Sequence, residues 1–251
     1  MNHSSRVVFI GVPLIFSLIS MGLYFSGIAP LQDIISPKLQ GIPAHSWREF
    51  GLLEQTQNLL LLLTTGVLFR AMLKRPHTLE KSFFALGTVA MAFLFLEEMD
   101  YGIHLVHYFS PGKLETARMS WHNQINASGR ENEHFLKIAA DSAAIFCFVL
   151  LPLVKAKIKD IRLHSLAPTL WFLALMGLSL GISELAHFLD HAGFGMINGI
   201  KGGLSNNISE FRETLTYYVY LLYALHLARH AVLFLPASKA TTHPELQSHM
   251  P

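Results

Sequence analysis

The sequence predicts an all-α fold, a polytopic transmembrane helical bundle of about six spans, and three observations predict it. Hydrophobic residues make up 51% of the 251 residues and charged residues 14%, against roughly 25% charged in an average soluble domain. The apolar residues come in blocks that approach the ~20 residues needed to cross a hydrocarbon core. Lipid leaves no exposed backbone group unpaired, and the blocks are too long and continuous for barrel strands, so helix is the physical default.

The blocks are 7–29, 50–73, 82–108, 135–154, 166–191 and 211–235. The first follows only Arg6 and exceeds the usual signal-peptide core of about 7–15 residues, so it is expected as a retained span. Between blocks stand Pro30, Pro37 and Pro43, then Pro76, then Pro111 with Gly112, then the glycine-rich run from Gly193 to Gly203. A single membrane domain is expected over 1–236, followed by a polar, disordered tail over 237–251.

The net charge of +2 is small and its basic residues lie in short clusters, which marks no nucleic-acid surface. Cys147 is alone, which excludes an intrachain disulfide and a Cys-based zinc site. Lysine and arginine in short connections report orientation. The second connection is flanked by Arg70, Lys74, Arg75 and Lys81 and the fourth holds Lys155, Lys157, Lys159 and Arg162, while the odd connections are poorer for their length. Both termini are therefore expected in the cytoplasm. Trp47, Trp121 and Trp171 fall at or near the expected interfaces.

Ionisable residues at membrane depth are costly and usually face a bundle interior, so each is a functional candidate. In the third span Glu97, Tyr101, His104 and Tyr108 share one stripe, and Glu98 is offset by about 100° towards a neighbour. In the fifth, Glu184, His187 and His191 share a face at spacings of three and four, an arrangement able to converge on one cation. Asp190 points off that stripe and is expected as an interfacial group. The second span opens with Glu54, Gln55 and Asn58, the fourth with His134 and Asp141, and the sixth with Glu210 and Glu213, followed by Tyr217. Spans three and five end outside and spans two, four and six begin there, so all five polar segments meet in the outer half. The third connection adds His122 and Glu131. His226 and His230, another i, i+4 pair, sit at the opposite end and are expected as interfacial or satisfied histidines. Glu97 or Glu98 with His104 also reads as a buried hydrogen-bond network that holds helices together.

With Glu97-Glu98-Met99-Asp100-Tyr101-Gly102-Ile103-His104 closing the third span, and Trp121-His122-Asn123-Gln124 following it, the middle third resembles a group of uncharacterised bacterial multi-span proteins. In those a Glu-Glu pair precedes an aromatic-Gly-Gln sequence and an Asn-Leu-His-Asn segment comes later. The present chain departs from that pattern at Ile103-His104, and the resemblance implies a bacterial inner membrane as location but no activity. A more distant chemical similarity is to the alkaline-ceramidase-like membrane hydrolases, whose intramembrane histidines hold zinc beside an assisting aspartate. That similarity implies His187 and His191 as a pair, His104 as the third imidazole and Asp100 or a nearby glutamate as the assisting group. Those proteins have seven spans with the pair on the last, so the likeness is one of chemistry.

The expected function is that of a metal-dependent membrane enzyme working on a lipid or lipid-linked substrate, by hydrolysis. His104, Glu184, His187 and His191, with Glu97 and Glu213, are the candidate metal ligands, and Glu98 or Asp100 the general base. Glu54, Tyr101, His122, His134, Asp141 and Glu210 complete the polar cluster. The expected cofactor is a divalent metal, zinc ahead of iron. A two-metal carboxylate centre with Glu184-x-x-His187 and Glu131-x-x-His134 would favour oxidative chemistry, and haem is a third alternative. Membrane lipid is the expected environment and substrate, with no nucleic acid; an accessory subunit of a larger complex, or an ion carrier, is the non-enzymatic alternative.

Overall fold

Two prolines set the first irregularity of the fold. Pro13 and Pro152 each lack the amide that would bond one turn back, and each is preceded by a wide π turn, Val7–Gly11 and Phe146–Leu150. The helix runs on through both, into α1 (Val12–Phe25) and the short α5 (Leu151–Val154). The computed structural model describes residues 7–39, 48–99, 102, 109, 142–200, 202–204 and 207–231. Among these the chain is helical, with no strand beyond an isolated bridge between Ile197 and Ile200.

After α1, Gly27 turns the chain at a φ of 71° and α2 (Ala29–Ile35) begins, with Pro30 in its first turn, where a missing amide costs nothing. A 3-10 turn, Arg48–Phe50, leads through Gly51 into α3 (Leu52–Lys74). Arg75 and Pro76 then reverse the chain into α4 (Thr78–Glu98). Asp160 caps α6 (Ile161–Leu166), accepting the Arg162 amide at 2.8 Å. α7 (Leu170–His191) closes on Gly193, whose φ of 81° allows the Gly193 amide to reach Asp190 and the Phe194 amide to reach Leu189. α8 (Glu210–His230) is the last described helix.

α3 and α4 form an antiparallel hairpin, α8 packs along the other side of α3, and α7 along α8. α1 rests on both α7 and α8. α8 is thus central, and three clusters of buried side chains are strung along it. Phe211 and Leu215 join Tyr24, Phe25, Leu53 and Ile182 at one end. Val219 joins Phe148, Phe172 and Leu175 midway. Ala224 and Leu227 join Leu68, Ala71 and Phe84 at the other end. There Arg75 donates to the Ala228 carbonyl at 3.1 Å and lies over the Phe84 ring at 5.1 Å, so the α3–α4 turn closes the C-terminal end of α8.

Four segments among the described residues are long and apolar enough to cross a membrane: Val8–Phe25, Leu52–Lys74, Thr78–Leu96 and Leu170–His191. Their outer faces are apolar and open, with Leu86 72% exposed and Val89 66%, a distribution foreign to a monomeric soluble protein and compatible with lipid. Only 11% of Thr78–Leu96 is buried, against 33% in each of the other three segments, so α4 is the least covered of the four among the described residues. The six expected spans are met in part. α8 is long enough, at 21 residues, but carries Glu210, Arg212, Glu213 and Arg229, and its neighbours enclose it. Of the expected span over 135–154, residues 142–154 are helical and the rest lies outside the described residues. The expected start at 82 moves to Thr78, since Thr78 to Lys81 already form the first turn of α4.

Candidate functional site: a buried carboxylate cluster

Antiparallel packing places the starts of α3 and α8 at the same end of the bundle as the ends of α4 and α7. Glu54 stands one turn into α3, Glu98 closes α4 and Glu210 opens α8. At that end Arg48 reaches three acidic groups. Its Nη1 donates to Glu210 Oε1 at 2.9 Å and its Nε to Glu49 Oε1 at 3.1 Å, while Glu54 Oε1 lies 3.7 Å from Nε. Burial opposes the charge on Arg48, but Glu210 first, then Glu49 and Glu54, hold its pKa above the ordinary arginine value.

Gln57, one turn beyond Glu54, is fully buried and its side-chain amide donates to Glu210 Oε2 at 3.0 Å and to Thr214 Oγ1 at 3.1 Å. It thereby ties α3 to the first turn of α8. Tyr217, two turns into α8, donates its hydroxyl to Glu98 Oε1, which ties α8 to the end of α4. Glu213 is an electrostatic neighbour of both Glu98 and Glu210. Several acceptors remain without a hydrogen-bond partner among the described residues: Glu54 Oε2, Gln57 Oε1 and Asn58 Oδ1. Glu54 is 2% exposed, and a carboxylate oxygen so placed requires positive charge or a proton nearby.

The structure thus brings together Glu54, Glu98 and Glu210, with Glu213 beside them. It does not bring in the fifth-span stripe. Glu184, His187 and His191 stand on the exposed side of α7, with the two imidazole rings 6.3 Å apart. Asp190, off that stripe as its spacing predicts, is turned into the bundle and buried, 8% exposed. The spacing rule correctly groups residues on a face, but which face turns inward is set by the neighbouring helices. Among the described residues no group of three or more His, Cys, Asp or Glu side chains is arranged to hold a metal ion. Asp100, Tyr101, His104, His122, His134 and Asp141 lie outside the described residues, as does the side chain of Glu97.

Arg48, Glu49, Gln57 and Thr214 are the members that sequence reasoning passed over. Gln57 could have been found from Glu54 by a spacing of three, and Thr214 from Glu210 by a spacing of four. Arg48 looks like an ordinary loop cation until α8 returns 162 positions later. At the far end His226 is held by the Ser165 carbonyl, 3.2 Å from Nε2, and stacks on Tyr223, which accounts for it as a packing residue. No family model, no curated protein and no solved structure matches the chain.

Proposed function

We propose that the chain is an integral membrane protein of about six spans with both termini in the cytoplasm, and that it is a metal-dependent enzyme acting on a lipid or lipid-linked substrate at the outer end of the bundle. One observation carries the reading. Acidic groups from α3, α4 and α8 gather at one end, where Arg48 pairs with Glu210 and Glu54, Glu98 accepts from Tyr217, and buried oxygens have no hydrogen-bond partner among the described residues. A membrane protein that retains such a costly group of charges has a use for it. The oxygen-rich donor set suits magnesium, manganese or iron better than zinc. Zinc chemistry would draw instead on His104 together with His187 and His191. In either case hydrolysis needs water beside the ion, and a neighbouring carboxylate such as Glu98 or Asp100 to take its proton.

Arg48 favours a second reading, in which the cluster is a proton- or ion-binding element of a carrier or accessory subunit. A guanidinium already placed among carboxylates supplies part of the charge that a metal would bring. Metal analysis of the full chain purified in detergent separates the two. Stoichiometric metal that is lost in Glu54→Gln/Glu210→Gln and kept in His187→Ala/His191→Ala is the expected result. The reverse pattern moves the centre to the histidines, and folded protein free of metal sinks the enzyme reading.

A further inference from the structure

We propose that Arg48 is a displaceable counter-ion, standing in a site that takes a divalent metal cation when its guanidinium swings out. The inference deepens the functional reading above and concerns occupancy of that same cluster. Three carboxylates, Glu49, Glu54 and Glu210, face one guanidinium. The guanidinium uses Nε and Nη1 on Glu49 and Glu210, and leaves Glu54 Oε2 without a hydrogen-bond partner among the described residues. The acceptors therefore outnumber what Arg48 satisfies. Gln57 Oε1, fully buried and likewise unpartnered among the described residues, adds a neutral oxygen of the kind hard cations accept.

The mobility of the parts differs in the sense that displacement requires. The Arg48 side chain is 30% exposed, whereas those of Glu49, Glu54 and Glu210 are 9%, 3% and 4% exposed. Arg48 stands on a 3-10 turn outside the long helices and can turn its head to water without moving backbone. Glu54 and Glu210 are fixed on α3 and α8, and Glu49, on the same turn as Arg48, keeps its side chain buried. As they stand, the three are not arranged to hold an ion; once the guanidinium withdraws, their shared counter-charge is gone and a divalent cation is what would draw them together as a hard oxygen site.

The test uses the full chain in detergent and Mn2+ as the probe, followed by electron paramagnetic resonance. Arg48→Gln, which removes the competitor and keeps a polar side chain, is expected to bind one Mn2+ at least tenfold more tightly than the wild type. Arg48→Gln/Glu54→Gln is expected to lose that binding. Folded Arg48→Gln that binds Mn2+ no better than the wild type overturns the proposal, as does tight binding that survives loss of Glu54. A second measurement needs no variant: millimolar Mn2+ is expected to speed modification of Arg48 in the wild type by an arginine-selective dicarbonyl, mapped by mass spectrometry. An unchanged rate overturns displacement. Because no substrate is present, Mn2+ binding without turnover of any lipid would leave this inference standing while the enzyme reading fell.

Discussion

At the residue scale, the buried cluster is held by contacts that single substitutions can remove cleanly. A Cβ on Gly51 would sit 1.8 Å from the Ile35 carbonyl oxygen and 2.7 Å from its carbon, both backbone atoms that no rotamer change can move. Gly51→Ala is expected to cost about 3 kcal/mol or more. Gly66→Ala, where a Cβ meets nothing within 4 Å, should be neutral or gain about 0.5–1 kcal/mol from helix propensity. Thermal unfolding in detergent compares the two. Tyr217→Phe removes the hydroxyl that Glu98 accepts, without creating a cavity, and should cost about 1–3 kcal/mol by the same measurement. Glu54, Glu98 and Glu210 were readable as candidates because acidic residues at the ends of apolar blocks stand out. Arg48 was not, since its meaning depends on a partner far along the chain. Asp190 and the His187–His191 pair show the complementary limit: spacing assigns residues to a face, and packing decides whether that face is inside.

At the scale of elements, helix positions were legible from block length, and the departures have local causes. The π turns before Pro13 and Pro152 follow from missing amides and leave the blocks continuous. Residues 29–35 are helical although they follow the glycine and proline punctuation, because a proline in a first turn starts a helix as readily as it ends one. The connection that carries α6 offers a pH test. Burial first, and then the neighbouring charge of Lys155, hold the His164 pKa below its ordinary value. A depressed histidine stabilises the fold in its neutral form, so its contribution is complete above ~6.5, the unfolded pKa, and falls away as the pH drops through that value. Asp160, held below the ordinary carboxylate range by its bonds to Arg162, keeps its cap through the same window and loses it only at more acid pH. Amide protection over Ile161–Leu166, measured as exchange relative to the free-chain rate at each pH, is therefore expected to fall from pH 7 to pH 5 in the wild type. In His164→Gln it should change little over that window.

For the whole molecule, the class was the most legible property, because composition and block length state the solvent directly. The open apolar faces of α3, α4 and α7 agree with lipid, and they are testable as such. Leu86, in the middle of α4 and 72% exposed, should tolerate alanine and reject arginine. A charge at the centre of a lipid-facing helix costs about 2.5–3.5 kcal/mol on insertion scales. Leu86→Arg is expected to lower the membrane-inserted fraction in an in vitro translocation assay, whereas equal insertion of both variants would argue against a lipid face. A reporter fused after residue 251 should locate in the cytoplasm.

The central position of α8 has a consequence for how the protein is made. A ribosome delivers α8 after every other described helix, and it carries four charged residues, Glu210, Arg212, Glu213 and Arg229, the first three of them packed into its opening turn. Such a segment enters lipid poorly by itself, yet Gln57, Tyr24 and Arg75 already wait on earlier helices and turns with partners for the α8 backbone and for the loop just before it. Biogenesis would then end with a received helix rather than an inserted one: the earlier helices assemble an open cleft, and the acidic cluster comes into being only when the last helix slides home.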